Sequence, residues 1–256
     1  MKQLVCTCLP GFPMVEPGDD LAAQIVRALA DGGCVPRDGD VLVLAQKIVS
    51  KAQGRYVVLA DVVPGPEALA LAKTVGRDPR LVEVVLSESR RVVRAAPGLL
   101  VVEHRLGFIM ANAGIDQSNI THGKDGAGER VLLLPHDPDG TAQTLRDALA
   151  QATGVPMGII INDSWGRPWR RGVTGVAIGA AGIPSFLDMR GTPDIYGRAM
   201  QSTELALGDE LAALGSLMMG QGAEGSPVVH IRGFTHPGPA SPASALLRPA
   251  EQDRFR

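Results

Sequence analysis

The chain has 256 residues, of which 45% are apolar, 20% charged and 4% aromatic, with a formal net charge of −2. That length can bury a sizeable core, as one large domain or two small ones, and the composition is that of an ordinary globular chain. The charge balance excludes a general nucleic-acid footprint, which needs a basic excess, and no apolar run approaches the ~18 residues of a membrane span.

Residues 3–10 read as a strand carrying Cys6 and Cys8 on one face, followed by a turn at Pro10-Gly11-Phe12-Pro13. With Cys34 these are the three cysteines of the chain. They form no disulfide framework and fit a reducing cytoplasm, and the apolar stretch at the N-terminus is too short for a signal peptide. Asp19 or Asp20 can cap a helix running to about Leu29, which Gly32-Gly33 ends. Val41-Leu42-Val43-Leu44-Ala45 is a continuous apolar run and predicts a buried strand, after which Gln46, Lys47 and Lys51 interrupt the apolar pattern.

Pro66 starts a helix that Gly76 stops, and Asp78-Pro79 caps another expected to reach about Ala95. Leu99–Val102 and Gly107–Ala111 predict a hairpin. A loop at His136–Thr141 caps a helix to about Ala152, and residues 155–161 form the next buried strand. A glycine-rich segment spans Gly172–Gly182, Pro193–Met219 is expected to be largely helical, and Val228–Ile231 is a late strand. From His236 onward the chain is rich in Pro, Ala and Ser and reads as a frayed tail or a partner-wrapping arm. The interleaving is irregular, so the fold class is α+β with mixed and antiparallel sheets rather than a doubly wound sheet.

Two segments carry the chemistry. Asn112-Ala113-Gly114-Ile115-Asp116-Gln117-Ser118-Asn119 follows an apolar run, and Asn162-Asp163-Ser164 follows Gly158-Ile159-Ile160-Ile161. Two strand ends with a carboxylate suit a hard divalent ion such as Mg2+ or Mn2+, which takes one or two carboxylates plus substrate phosphates. Turn residues capping local amides would look the same. Arg167, Arg170 and Arg171, flanked by Gly166 and Gly172, offer forked donors for phosphate or carboxylate, or form a solvated basic loop. Gly220-Gln221-Gly222-Ala223-Glu224-Gly225 spells G-x-G-x-x-G, but a helix precedes it and a strand follows, the reverse of a dinucleotide fold. Its bare amides can cradle phosphate, or Gly220 simply caps a helix. Gly123-Lys124-Asp125 is no P-loop, and the five histidines show no zinc spacing.

Five segments together, Gly39–Arg55, Asn112–Asn119, Leu133–Gly140, Asp163–Gly172 and Met219–Gly225, resemble the coenzyme F420-0:γ-glutamyl ligase family, over roughly residues 3 to 235. The resemblance implies a ligase domain at 1–235 with a tail at 236–256, in an unusual α+β fold that forms an intertwined homodimer. It implies addition of L-glutamate to coenzyme F420-0 through an acyl phosphate, with GTP as co-substrate, Mg2+ or Mn2+, and K+ as a further candidate. Carried over by position, Asp116, Asp163, Ser164 and Gln221 match metal ligands. Pro10, Gly11, Phe12, Pro13, Gln46, Lys47, Lys51, Asn119 and the loop Met219, Gly220, Gln221, Gly222, Ala223, Glu224, Gly225 and Ser226 match nucleotide contacts. Arg167, Arg170 and Arg171 would suit the phosphate or the acidic substrate. The expected setting is cytoplasmic, with neither nucleic acid nor membrane as partner. The rival readings are a non-catalytic nucleotide- or F420-binding protein and a ligase of the same fold acting on another carboxylate acceptor.

Overall fold

The computed structural model describes residues 3–120, 128–235 and 238–253. His122, the Gly123-Lys124-Asp125 run, His236 and residues 254–256 lie outside them.

A five-stranded mixed sheet forms the centre. Its strands are β1 (Val5–Cys8), β2 (Val41–Ala45), β8 (Gly158–Arg167), β9 (Arg170–Ala181) and β12 (Val228–Arg232), in the order β1-β12-β2-β8-β9. β2 and β8 run parallel, with Val41 opposite Gly158 and Ala45 opposite Asn162, while the other neighbours are antiparallel. Both faces are covered, which is why β2 is a continuous apolar run rather than an alternating one. Leu42, Leu44, Ile159, Ile161 and Val228 enter one core with Ile25, Leu29, Leu145 and Leu149. These last four come from α1 (Leu21–Asp31) and α5 (Pro138–Thr153). Val41, Val43, Ile160, Val229 and Ile231 enter a second core under α6 (Leu207–Met219).

The helix ends follow from local chemistry. Asp20 accepts the Ala23 amide to start α1, Gly76 ends α3 (Pro66–Val75) in a left-handed conformation, and Asp137 accepts the Gly140 amide to start α5. Short α2 (Gln46–Ala52) leaves β2 directly. α3 and α4 (Pro79–Ser87) pack on the antiparallel sheet β4 (Ser89–Ala96), β5 (Leu99–His104) and β6 (Ile109–Ala111). A two-stranded ladder of β3 (Tyr56–Val58) and β7 (Arg130–Leu132) joins this layer to the main sheet.

The mixed α+β expectation holds; three segments differ from their sequence reading, and a fourth, which that reading left without secondary structure, is strand. The helix from Pro79 stops at Ser87 rather than near Ala95, because Glu88 turns inward to a buried ion cluster and Arg91-Val92-Val93-Arg94 pairs as strand. The glycine-rich Gly172–Gly182 segment is part of β9. A side chain at Gly175 would strike the Ala212 carbonyl of α6, and one at Gly179 the Pro138 carbonyl of α5, so these glycines admit helices close to the strand. Residues 193–206 are not helical: Asp194 accepts the Tyr196 and Arg198 amides in a tight turn, between the short pair β10 (Leu187–Asp188) and β11 (Glu204–Leu205). The described part of the tail, 238–253, packs on the sheet, with Ala243 1% exposed and Leu246 against the second core. Cys6, Cys8 and Cys34 are free thiols. Among the described residues no helix is long and apolar enough to cross a membrane.

Candidate functional site

The parallel strands β2 and β8 send their carboxyl ends to one edge of the sheet, the place where open α/β sheets gather ligands. β12 begins at the same edge. The Leu9 amide donates to the Val228 carbonyl and the Ala45 amide to the Pro227 carbonyl, each at 2.9 and 2.8 Å respectively. The chain after β1, Pro10–Pro13, therefore leaves the sheet beside the ends of β2 and β8.

Asp116 reaches this edge through an unusual turn. Asn112, Ala113 and Gly114 have φ of 51°, 52° and 67°, three left-handed residues in succession, two of them with side chains. A side chain at Gly114 would collide with Met110 and Leu134. After the turn Asp116 and Leu132 exchange both backbone hydrogen bonds at 2.9 Å, which locks the carboxylate in place. Its Oδ1 lies 2.7 Å from the Lys47 Nζ, and its Oδ2 accepts a short hydrogen bond from the Gln46 carboxamide. Gln46 is 2% exposed and in turn accepts from the Ser50 hydroxyl one helical turn later. Lys51 lies on the same face of α2, and burial together with the Lys47 charge lowers its pKa.

Asp163 sits one residue beyond the last β2–β8 pair, where a β-bulge between Ile161 and Asn162 shifts the register with β9. It is 9% exposed. Oδ1 accepts the Ser164 amide and Oδ2 the Trp165 indole N–H, both at 2.8 Å. Trp165 is held edge-on to Phe108, with ring centroids 5.1 Å apart. Burial pushes the Asp163 pKa to about 6. The Asp116 charge adds to that rise, and the indole, the Ser164 amide and Lys47 offset it only in part. Asp116 is likewise raised by burial, against the pull of Lys47 and Gln46. Two carboxylates and one ammonium thus form an acidic pocket whose repulsion an added positive charge would relieve.

The third wall is the loop after α6. Gln221 Nε2 donates to the hydroxyls of Ser164 and Ser216, both at 3.0 Å. The Gly222 carbonyl accepts from Asn119 Nδ2 at 3.1 Å, tying this loop to the Asp116 segment. Glu224 accepts the Gly222 amide and fills the space beside Gly220 (φ 73°), where a side chain would collide with it. Among the described residues no group of three or more His, Cys, Asp and Glu gathers as a metal site. The donors that converge are two carboxylates, the Ser164 hydroxyl and the Gln221 carboxamide.

The family model for F420-0:gamma-glutamyl ligase matches residues 11–233. The chain belongs to that family. It is 46% identical over 248 residues to the coenzyme F420:L-glutamate ligase of Methanothermobacter thermautotrophicus, covering 96% of each chain. It is 44% identical to the protein of the same name from Methanopyrus kandleri, over 94% of this chain and 93% of the relative. The Archaeoglobus fulgidus protein of that name is 39% identical over 96% of this chain and 94% of its own.

Of the residues that the family resemblance marked, Gln46, Lys47, Asp116, Asn119, Asp163, Ser164 and the Met219–Ser226 loop lie on connected walls of one site. Arg167, Arg170 and Arg171 lie instead on the exposed tip of the β8–β9 hairpin, around Trp169 with φ 58°, and none bonds to either carboxylate. Four supporting residues were not singled out from the sequence. Trp165 is two residues from Asp163 on a strand and so shares its face, and Ser50 is four from Gln46 on a helix, spacings that carry a signal. Asn162, quoted in the sequence only as the neighbour of Asp163, reaches the Met219 sulfur at 4.0 Å, and Ser216 is joined to the site only by tertiary packing.

Proposed function

We propose that this chain joins L-glutamate to coenzyme F420-0 in a GTP- and divalent-metal-dependent reaction that proceeds through an acyl phosphate. The observation that supports the reading most is the juxtaposition of Asp116 and Asp163, both with raised pKa, beside Lys47 and the glycine-rich Gly220–Gly225 loop. Hard oxygen donors of this kind suit Mg2+ or Mn2+, with Asp116, Asp163, Ser164 and Gln221 as the holding residues. The Gln221 amide turns its N–H2 toward Ser164, so its oxygen faces a cation only after a rotation of the carboxamide by half a turn. A bound dication would neutralise charge on the transferring phosphoryl group.

The chain's own residues supply the remainder. Lys47 and Lys51, one helical turn apart on α2 just beyond the end of β2, offer positive charge to nucleotide phosphates. The bare amides of the loop after α6 and the Pro10–Pro13 turn border the same edge and can line a nucleotide. In the proposed sequence the substrate carboxylate oxygen bonds to the γ-phosphorus as the bond to the β-phosphate oxygen breaks. The glutamate amine then bonds to the acyl carbon and inorganic phosphate departs. No histidine or cysteine nucleophile is required. We further propose the homodimeric state, for which the exposed side chains Trp169, Ile195 and Tyr196 on two projecting hairpins offer apolar contact surface.

The test is mass spectrometry of protein incubated with F420-0, L-glutamate, GTP and Mg2+ or Mn2+. Mass increments of whole glutamyl residues that require GTP are the expected result. Nucleotide binding without any such product would favour another carboxylate acceptor or a binding protein.

A further inference from the structure

Four segments distant in sequence converge beyond the far end of α2. Glu88, just past the end of α4, is buried. Its Oε2 accepts from Arg55 Nη2 at 2.9 Å and from Arg105 Nη2 at 3.0 Å, and His104 Nε2 lies 3.6 Å away. Arg55 is also held by the chain after β7, since its Nε donates to the Leu134 carbonyl at 2.9 Å. Arg105 stands on the turn between β5 and β6. Exposed His136 precedes α5, and its amide donates to Gln53 Oε1 at 3.2 Å. Arg55 and His136 belong to two of the five segments that carry the family resemblance, Gly39–Arg55 and Leu133–Gly140, yet neither takes part in the site of Asp116 and Asp163. α2 begins at Gln46 beside Asp116, and its length sets the two places about 10 Å apart.

This cluster is short of negative charge and of acceptors. Two guanidiniums share one carboxylate, which leaves one positive charge in surplus. The surplus faces His136. Arg55 Nη1 lies 3.0 Å from its Nε2, and Arg105 Nη2 lies 3.4 Å from its Nδ1. A guanidinium only donates, and a neutral imidazole has a single acceptor nitrogen. One contact is therefore a hydrogen bond, and the other sets N–H against N–H. The Arg55 charge, with burial and Arg105, holds the His136 pKa below its ordinary 6.5, and Glu88 offsets only part of that. The nearby carboxylates of Asp137 and Asp139 are engaged by backbone amides. Among the described residues the Arg105 and His136 side chains have no other hydrogen bond or ion pair.

We propose that Arg55, Arg105 and His136 form a second anion site, separate from the pocket of Asp116 and Asp163, that takes a carboxylate of a glutamyl group; the choice of that group rests on the glutamyl-transfer reading above. A carboxylate between Arg105 and His136 accepts from the guanidinium and from the Nδ1–H of the ring, while Nε2 keeps its hydrogen bond from Arg55. The donor–donor contact is replaced by two donor–acceptor ones. A surplus of one charge matches a carboxylate better than a phosphate dianion. The reaction supplies this group from two sources: free L-glutamate, and the glutamyl end of the product, which still carries carboxylates after transfer. Arg105 and His136 are the exposed members and meet the ligand, and Arg55 orients the ring and adds charge from beneath.

The test is an NMR titration of the His136 imidazole in the whole protein over about pH 5 to 8. It is run without ligand and with L-glutamate, γ-glutamylglutamate or inorganic phosphate at matched ionic strength, and His136→Gln assigns the resonance by its loss. A glutamyl probe should move the His136 titration upward by roughly one pH unit, because a negative charge now adjoins the ring. The bound state then holds its proton more tightly, so affinity should fall about tenfold as pH rises through the shifted range. A response to L-glutamate names the free amino acid as the source, and a response to the dipeptide alone names the product. Arg105→Gln should abolish the shift, and Arg105→Lys, which keeps the charge, should retain part of it. A His136 unmoved by both glutamyl probes, or moved equally by phosphate, would overturn the site. The titration needs no turnover. Glutamyl product with a silent His136 therefore sinks this inference alone, and a responsive His136 without product sinks the ligase reading alone.

Discussion

The two edges of the central sheet each bury a carboxylate, and they treat it in opposite ways. At the edge where β2 begins, Asp40 is 2% exposed. Both its oxygens meet the Arg232 fork at 2.9 and 2.6 Å, His230 Nε2 lies at 2.8 Å, and the Arg37 amide donates at 2.8 Å. Burial alone would raise its pKa, but these partners outweigh burial and hold it below the usual carboxylate range. At the edge where β2 ends, Asp163 has only an indole and one amide, faces a second carboxylate, and titrates at about 6. A chain that satisfies one buried acid completely has the means to satisfy another. The under-compensated edge is therefore where a ligand's positive charge belongs.

The contrast breaks most sharply in turnover. Asp116→Ala and Asp163→Ala should each lower the rate of glutamyl transfer at least ~1,000-fold, about 4 kcal/mol of lost transition-state stabilisation, with a native circular dichroism spectrum. A rate within tenfold of the parent would remove that residue from the mechanism. Asp40→Ala should do the reverse, sparing the site chemistry and lowering stability by about 3 kcal/mol, because Arg232 and His230 are left without their buried counter-charge. Urea unfolding would measure it, and a loss under 1 kcal/mol would show that the cluster is not structural.

Asp163→Asn sharpens the comparison through pH. The folded pKa of about 6 lies above the ordinary 3.8. Between these values the folded chain keeps a proton that the unfolded chain has released, so stability falls as pH rises through the window and levels off above it. The ligand-free Asn variant lacks this penalty and should be more stable than the parent at pH 7 by about 2–3 kcal/mol, with the gap closing below pH 4. Equal midpoints at pH 7 would show that the acid is not strained in the free protein. Asp40, lowered rather than raised, contributes in the other sense: its stabilisation is present above pH 4 and disappears as pH falls below that.

The two edges were unequally legible. Asp116 and Asp163 stood out because each follows an apolar run, and Lys47 because it follows the strand β2 directly. The strand Val41–Ala45 and the helices opened by Asp20, Pro66 and Asp137 were read from local signals that tertiary packing did not override. Asp40 drew no notice, since its forked partner Arg232 lies 192 residues away on β12. The tilt of the Asp116 turn could not be read either, because Asn112 and Ala113 adopt left-handed angles that their residue types disfavour. Arg167, Arg170 and Arg171 read equally as forked phosphate donors or as a solvated basic loop, and they occupy a hairpin tip; a run of like charges records exposure as readily as function.

The tail gives the smallest effect and the clearest lesson about range. Its Pro, Ala and Ser composition reads as disorder, yet Asp139, in the first turn of α5, accepts the amides of Ala243 and Ser244 at 2.7 and 3.1 Å. The same carboxylate accepts the Ala180 amide of β9 at 2.9 Å, so one side chain clasps helix, strand and tail. Ser185 adds a pair of hydrogen bonds to Ser241, and the Leu247 side chain reaches the Gly107 turn of the β5–β6 hairpin. Asp139→Ala should cost about 1–2 kcal/mol, since three amides lose a shared charged acceptor but two of them can turn to water once the tail lifts. Amide exchange separates this from a general loss of stability. Protection should fall first at Ala243 and Ser244, while Leu42 and Ile160 in the centre of the sheet stay protected to the global limit. Uniform loss at all four would mean that the tail is an integral part of the cooperative core rather than a strap fastened to it.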